Sequence, residues 1–244
     1  NPSLTSWTSQ DVPALRRLVE RCQELGAVLV ADTVFQDVGG PELVPEVFAV
    51  AERPALLAKL HSPSKDRPLA CGYRIGYVIA DAGLEPWLHQ TEALAKNSSN
   101  TMSLVWLGFD CLFRRALLNG GLRAEDFELL AGRYLYGYGA PDLSPAEMYD
   151  RVVSSGLFDR YTERVESFRL TIRSHLHQIH GWLARSACFE PRPVPPFGNL
   201  LMVRVRPPYD LGGEDGFFLD TLMATNVAST AGGCFGMSKE HGVW

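Results

Sequence analysis

Two hydroxyl residues spaced by one position, a lysine directly after them and an arginine nine residues further on form the most chemically loaded part of this sequence. The stretch HSPSKDRPLACGYRIGYV, residues 61–78, supplies them as Ser62, Ser64, Lys65 and Arg74. Only four lysines occur in the chain, Lys59, Lys65, Lys96 and Lys239, and Lys65 is the one flanked by hydroxyls at the end of an expected strand. A lysine that forms an imine needs a lowered pKa and a fixed partner. Burial near other cations supplies the first, and the rigid end of a strand the second. Ser62, Ser64 and Arg74 suit a phosphate dianion better than a carboxylate, because arginine offers a planar fork and serines offer short hydroxyl donors. Asp32 closes the preceding apolar run, and an acid there could keep a heteroaromatic nitrogen protonated. Taken singly, a strand-end aspartate is as often a cap or turn residue, and a loop lysine is usually just solvated. The ordered set carries the weight.

The elements that must position these residues follow from periodicity. SQDVPALRRLVERCQELG, from Ser9, has helical apolar spacing and ends at Gly26. AVLVAD is a short buried strand of the parallel type, ending on Asp32. ALLAKLHS and YRIGYVIAD read as two further strands, so the polar residues gather at loop mouths, the edge at which open α/β sheets bind ligands. Long helical patterns begin at residue 84, with LEPWLHQTEALAKN and then SLVWLGFDCLFRRALLNGG. Residues 123–156 read as an inserted helical excursion, within which Ser144 and Glu147 have capping-box spacing. A long amphipathic helix, DRYTERVESFRLTIRSHLHQIHGWLARS, leads into the Pro-rich joint EPRPVPPFGN, a strand LLMVRVRP and a last helix DGFFLDTLMATN. The expected plan is an α/β domain over residues 1–160, mainly a parallel sheet with flanking helices, and a smaller α+β domain over residues 161–244. Both are expected to be incomplete, because the sequence starts at NPSLTSW and stops at EHGVW.

Bulk composition narrows the function classes. A net charge of −5 with no basic cluster leaves no electrostatic footprint for nucleic acid or an anionic membrane surface. No apolar run reaches the roughly 20 residues of a spanning helix, and no signal-peptide pattern is present, so a soluble, cytoplasmic protein is expected. The five cysteines are widely spaced and form no CxxC pair, which argues against a disulfide framework or structural zinc. His175, His177 and His180 do not share one helical face, so surface histidines explain them better than a metal site. The common hydrolase, NTPase and zinc-protease motifs are missing. AGGCFG reads as a turn with Cys234 inside it.

NPSLTSW, ADTVF, SPSK and GYRIGY, in that order, resemble the signature of the fold-type I pyridoxal-phosphate enzymes of the class I/II aminotransferase group. FGNLLMVRV and NVASTAGGCFG look more loosely like that family's small domain. The resemblance implies that Lys65 holds pyridoxal 5'-phosphate as an imine, Asp32 pairs with the pyridine nitrogen, and Ser62, Ser64 and Arg74 bind the phosphate. It also implies an amino acid or amine substrate and a homodimer. Three departures stand out. Leu4 replaces an asparagine, and Phe35 replaces a tyrosine, that normally hydrogen-bond the cofactor's phenolic oxygen. The lysine-to-arginine spacing is also one residue longer than usual, a bulge to be absorbed between Asp66 and Gly72. Losing two neutral hydrogen bonds weakens the grip by about 1 kcal/mol each. An aminotransferase is the leading reading. A specialised lyase, decarboxylase, cyclase or oxidase is the alternative favoured by the departures, and a non-enzymatic scaffold of the same fold is the rival from another class.

Overall fold

The computed structural model describes residues 9–35, 56–65, 67, 70–95, 101–131, 143–195, 198–207, 209, 213–226, 228, 230 and 234. Leu4, Lys96, Lys239 and most of NVASTAGGCFG lie outside these residues. The chain divides into two compact units, one made of Pro13–Val34 and Glu46–Phe168, the other of Asn1–Val12, Phe35–Pro45 and Arg169–Trp244. No helix among the described residues is long and apolar enough to cross a membrane.

In the first unit, α1 (Val12–Glu24) buries Leu15 and Val19, four residues apart on one face. It ends as its composition demands. Gly26 takes φ +60° and the Ala27 amide donates to the Cys22 carbonyl, turning the chain into a strand. Three strands follow: β1 (Leu29–Asp32), β2 (Leu57–His61) and β3 (Tyr77–Ala80), in that spatial order. β1 and β2 are parallel, with Asp32 opposite Leu60, whereas β3 returns antiparallel, with Tyr77 opposite His61. The third strand is shorter than the pattern YRIGYVIAD suggests. A 3-10 turn over Ala70–Tyr73 and a left-handed Arg74 (φ +53°) interrupt the extended backbone, and the Ile75 carbonyl bonds the Ser62 hydroxyl. The bulge expected between Asp66 and Gly72 lies partly outside the described residues, of which Ala70–Gly72 belong to the 3-10 turn.

The helices α2 (Glu85–Ala95), α3 (Thr101–Leu118), α4 (Ala124–Leu130) and α5 (Pro145–Ser154) lie within this unit, and α6 (Leu157–Ala184) begins there. Their core is a cluster around Phe113, Phe127 and Met148. Phe127 is fully buried, and Phe113 meets Phe158 and Tyr161 of α6 at ring distances of 5.4 and 4.9 Å. Each such side chain contributes on the order of 1.5–3 kcal/mol by leaving water. The capping box expected at Ser144 and Glu147 is formed.

The second unit contains the rest of α6, a two-stranded antiparallel ladder of β4 (Phe189–Pro191) and β5 (Val203–Val205), and α7 (Gly213–Thr225). β4 overlaps the start of the stretch expected to be a joint, at Glu190 and Pro191. Pro191 suits extended backbone, and pairing with β5, continued by Arg192 to Met202 and Arg206 to Cys188, makes that backbone a strand.

Candidate functional site

Three loop mouths converge on one edge of the sheet. Because β1 and β2 are parallel, their carboxyl ends share that edge, and because β3 is antiparallel, its amino end lies there too. Asp32 closes β1, Ser62–Lys65 follow β2, and Arg74 precedes β3. The residues singled out by chemistry are therefore gathered by topology.

Each side chain has a definite local setting. Asp32 is exposed, and its Oδ1 accepts from the Val34 amide at 3.1 Å, so it also makes the turn leaving the strand. Ser62 and Ser64 are half-buried, with their hydroxyl oxygens 2.9 Å apart. Ser62 Oγ donates to the Ile75 carbonyl at 2.7 Å and accepts from the Ser64 amide at 3.3 Å. Ser62 thereby ties the lysine loop to the segment that carries Arg74. Lys65 and Arg74 are exposed, while Lys59, inside β2, is buried. Phe35 is half-buried in the other compact unit, where a side chain at Gly198 (φ +82°) would meet its ring at 3.9 Å.

Two buried polar groups behind this edge had gone unmarked in the sequence. The first centres on His61, which is 2% exposed. Its Nδ1 donates to the Thr33 carbonyl at 3.0 Å, and Arg114 Nη1 donates to its Nε2 at 3.1 Å. Arginine can only donate, so the ring carries its proton on Nδ1. Arg114 also donates to the Tyr77 hydroxyl at 3.1 Å. Residues adjoining Asp32, Ser62 and β3 are thus joined through one imidazole. The second group is Arg67, Asp110 and Tyr161. Arg67 Nε donates to Asp110 Oδ1 and to the Tyr161 hydroxyl, each at 2.9 Å, and that hydroxyl donates to Asp110 Oδ1. Burial first, and the Asp110 charge second, push the Tyr161 pKa well above the ordinary tyrosine value. One signal of this group was visible in the sequence: an aspartate in the apolar pattern GFDCLF of α3. Asp110 and Tyr161 also line a cavity of about 290 Å³ whose other walls are apolar, and none of the residues at the sheet edge lines it.

A carboxylate, two hydroxyls, a guanidinium and an amine at one edge form a donor set that fits an aromatic aldehyde phosphate. Exposed Lys65 and Arg74 are open to such a group from solvent, and Asp32 Oδ1 already accepts a bond. The Ser62 proton is held by the Ile75 carbonyl, so the 2.9 Å contact between the two hydroxyls uses the Ser64 proton; Arg74 is the more available anion donor, and Ser64 becomes one only by turning from Ser62.

Residues 8–107 match the family model of aminotransferase class I and II. Three solved structures are similar over nearly the whole chain: an aspartate aminotransferase from Thermotoga maritima (TM-score 0.58, 13% identity, 96% of this chain and 46% of that one), a PLP-dependent aminotransferase from Streptococcus suis (0.56, 17%, 92% and 45%), and a multiple substrate aminotransferase from Thermococcus profundus (0.56, 17%, 92% and 43%). No curated protein sequence matches the chain. The fold is that of the fold-type I aminotransferases. Residues 8–107 are similar to the aminotransferase class I and II family, and the similar solved structures are aminotransferases. The chain spans less than half the length of each of the three solved proteins.

Proposed function

We propose that this chain is part of a pyridoxal-phosphate-dependent enzyme that acts on an amino acid or amine, most simply as an aminotransferase. The observation that carries the reading is the convergence of Asp32, Ser62, Ser64, Lys65 and Arg74 on one sheet edge through two parallel strands and one antiparallel strand. When bound, the cofactor supplies an electron sink for bond cleavage at the substrate carbon that bears nitrogen. Lys65 Nζ would be its covalent anchor and, when free, would move the proton at that carbon. The Asp32 carboxylate would hold a proton on the ring nitrogen. Arg74 would bind the phosphate, joined by Ser64 once its hydroxyl turned from Ser62, and Ser62 keeps the two loops in register. A homodimer and a cytoplasmic location belong to the same reading, and light scattering tests the first.

The decisive experiment mixes the protein with pyridoxal phosphate, follows the visible band, and reduces the mixture with borohydride. The reading expects one labelled residue, Lys65, and loss of the band in Lys65→Ala. No band, or label elsewhere, overturns it in favour of a non-enzymatic scaffold. A second reading, non-transaminating chemistry on the same cofactor, is favoured by Phe35, which brings no hydroxyl. Half-reactions with a panel of amino acids separate the two. Transfer of the substrate nitrogen to the cofactor supports the aminotransferase, and its retention in the product or release as ammonia supports a lyase, decarboxylase, cyclase or oxidase.

A further inference from the structure

Lys65 stands in a turn whose two ends are buried. Pro63 is less than 2% exposed and Arg67 is 5% exposed, whereas Lys65 between them is exposed. The Arg67 amide donates to the Pro63 carbonyl at 3.1 Å, which closes the turn across Ser64 and Lys65. The Arg67 side chain then leaves the loop and bonds two helices at once, Asp110 on α3 and Tyr161 on α6, with the Asp110 side chain only 1% exposed. Only Asp66 separates Lys65 from Arg67.

Burying an ion pair is a poor way to add stability, because desolvation offsets most of the attraction. It is a good way to fix direction. An arginine N–H, a carboxylate and a phenol hydroxyl meet with geometry that apolar packing does not impose. We propose that Arg67, Asp110 and Tyr161 form a positioning lock that sets where the Lys65 amine stands, and thereby how fast it reacts with an aldehyde. The proposal rests on the reading of Lys65 as the cofactor's anchor. The three residues act through the backbone of the turn, so they are positioning residues. A misplacement of about 1 Å at a reacting atom can cost on the order of a hundredfold in rate.

Two variants loosen the lock gently. Tyr161→Phe removes the hydroxyl and keeps the ring that packs 4.9 Å from Phe113. Arg67→Lys keeps the charge and loses the planar fork. Met148→Ala, in the helical core against which Tyr161 also packs but outside the Arg67–Asp110–Tyr161 bonds, serves as a control matched for loss of thermal stability. Hydrogen exchange on the cofactor-free protein should show faster exchange at the amides of the Lys65 turn in both lock variants and not in the control. Stopped-flow mixing with pyridoxal phosphate should show the visible band forming about tenfold more slowly in the lock variants, with competition by inorganic phosphate unchanged. The proposal is overturned if both lock variants match Met148→Ala in turn exchange, or in band formation where the wild type forms a band. If wild-type protein forms no band at Lys65, the functional reading falls, and the exchange data still decide whether the lock holds the turn.

Discussion

Arg74 carries backbone strain at a position proposed to bind the cofactor phosphate. A non-glycine residue at φ +53° is disfavoured by roughly 1–2 kcal/mol, because its Cβ crowds the neighbouring carbonyl. The surroundings hold it there: the next carbonyl, Ile75, is bonded by Ser62, and β3 begins three residues further on. Such strain is tolerated where the side chain must face a ligand. Arg74→Gly should therefore melt above Arg74→Ala by about 1 kcal/mol, since glycine relieves the backbone and alanine does not. Both should lose at least about tenfold in affinity for pyridoxal phosphate, given that a charged hydrogen bond contributes about 1.5–3 kcal/mol. Urea melts and a cofactor titration check the pair, and coincident melts would remove the strain argument. Asp32 teaches a related lesson. Its bond to the Val34 amide makes it a turn residue, and that role orients one carboxylate oxygen without removing the other from chemistry.

At the scale of elements, helix ends were the most legible features. Ser144 caps α5 by accepting from the Glu147 amide at 3.3 Å, and its own amide donates to Glu147 Oε2 at 2.8 Å. Ser144→Ala should cost about 1 kcal/mol, read from thermal melts. Bonds from the Ser144 amide and hydroxyl hold the Glu147 carboxyl below its ordinary value of 4.5. A depressed carboxyl stabilises the folded state fully above its unfolded value and loses that contribution as pH falls through the folded one. Glu147→Gln should therefore flatten the acid limb of stability against pH. Strand limits were less legible, for a physical reason. YRIGYVIAD alternates well enough for a strand, yet its first part is taken by a 3-10 turn and a left-handed residue that fit the chain to Ser62. EPRPVPPFGN looks like a joint until β5 provides partners for Phe189–Pro191.

On the scale of the whole molecule, Tyr161 links α6 to α3 and to the lysine loop, and its titration is a property of the assembled unit. Its raised pKa means that the folded state keeps the phenol proton after the unfolded chain releases it. That contribution is complete below the unfolded value near 10.0 and is lost as pH rises toward the folded one. This contribution should thus hold steady from neutral pH and begin to fall only as pH climbs past about 10, and Tyr161→Phe should be flatter above that value in urea melts. The register also puts Val30, Leu60 and Val78 on one sheet face with Asp32, and all three are exposed. Local pattern alone determined the helices, the short apolar strands and the ordered set from Asp32 to Arg74, because periodicity, caps and spacing act between near neighbours. Tertiary structure decided the rest. The antiparallel return of β3 brings Arg74 to the edge of Asp32 and Lys65, and Arg67 becomes buried only because it meets Asp110 and Tyr161, 43 and 94 residues further along the chain. Such pairings depend on how separate elements pack, and no local period encodes them.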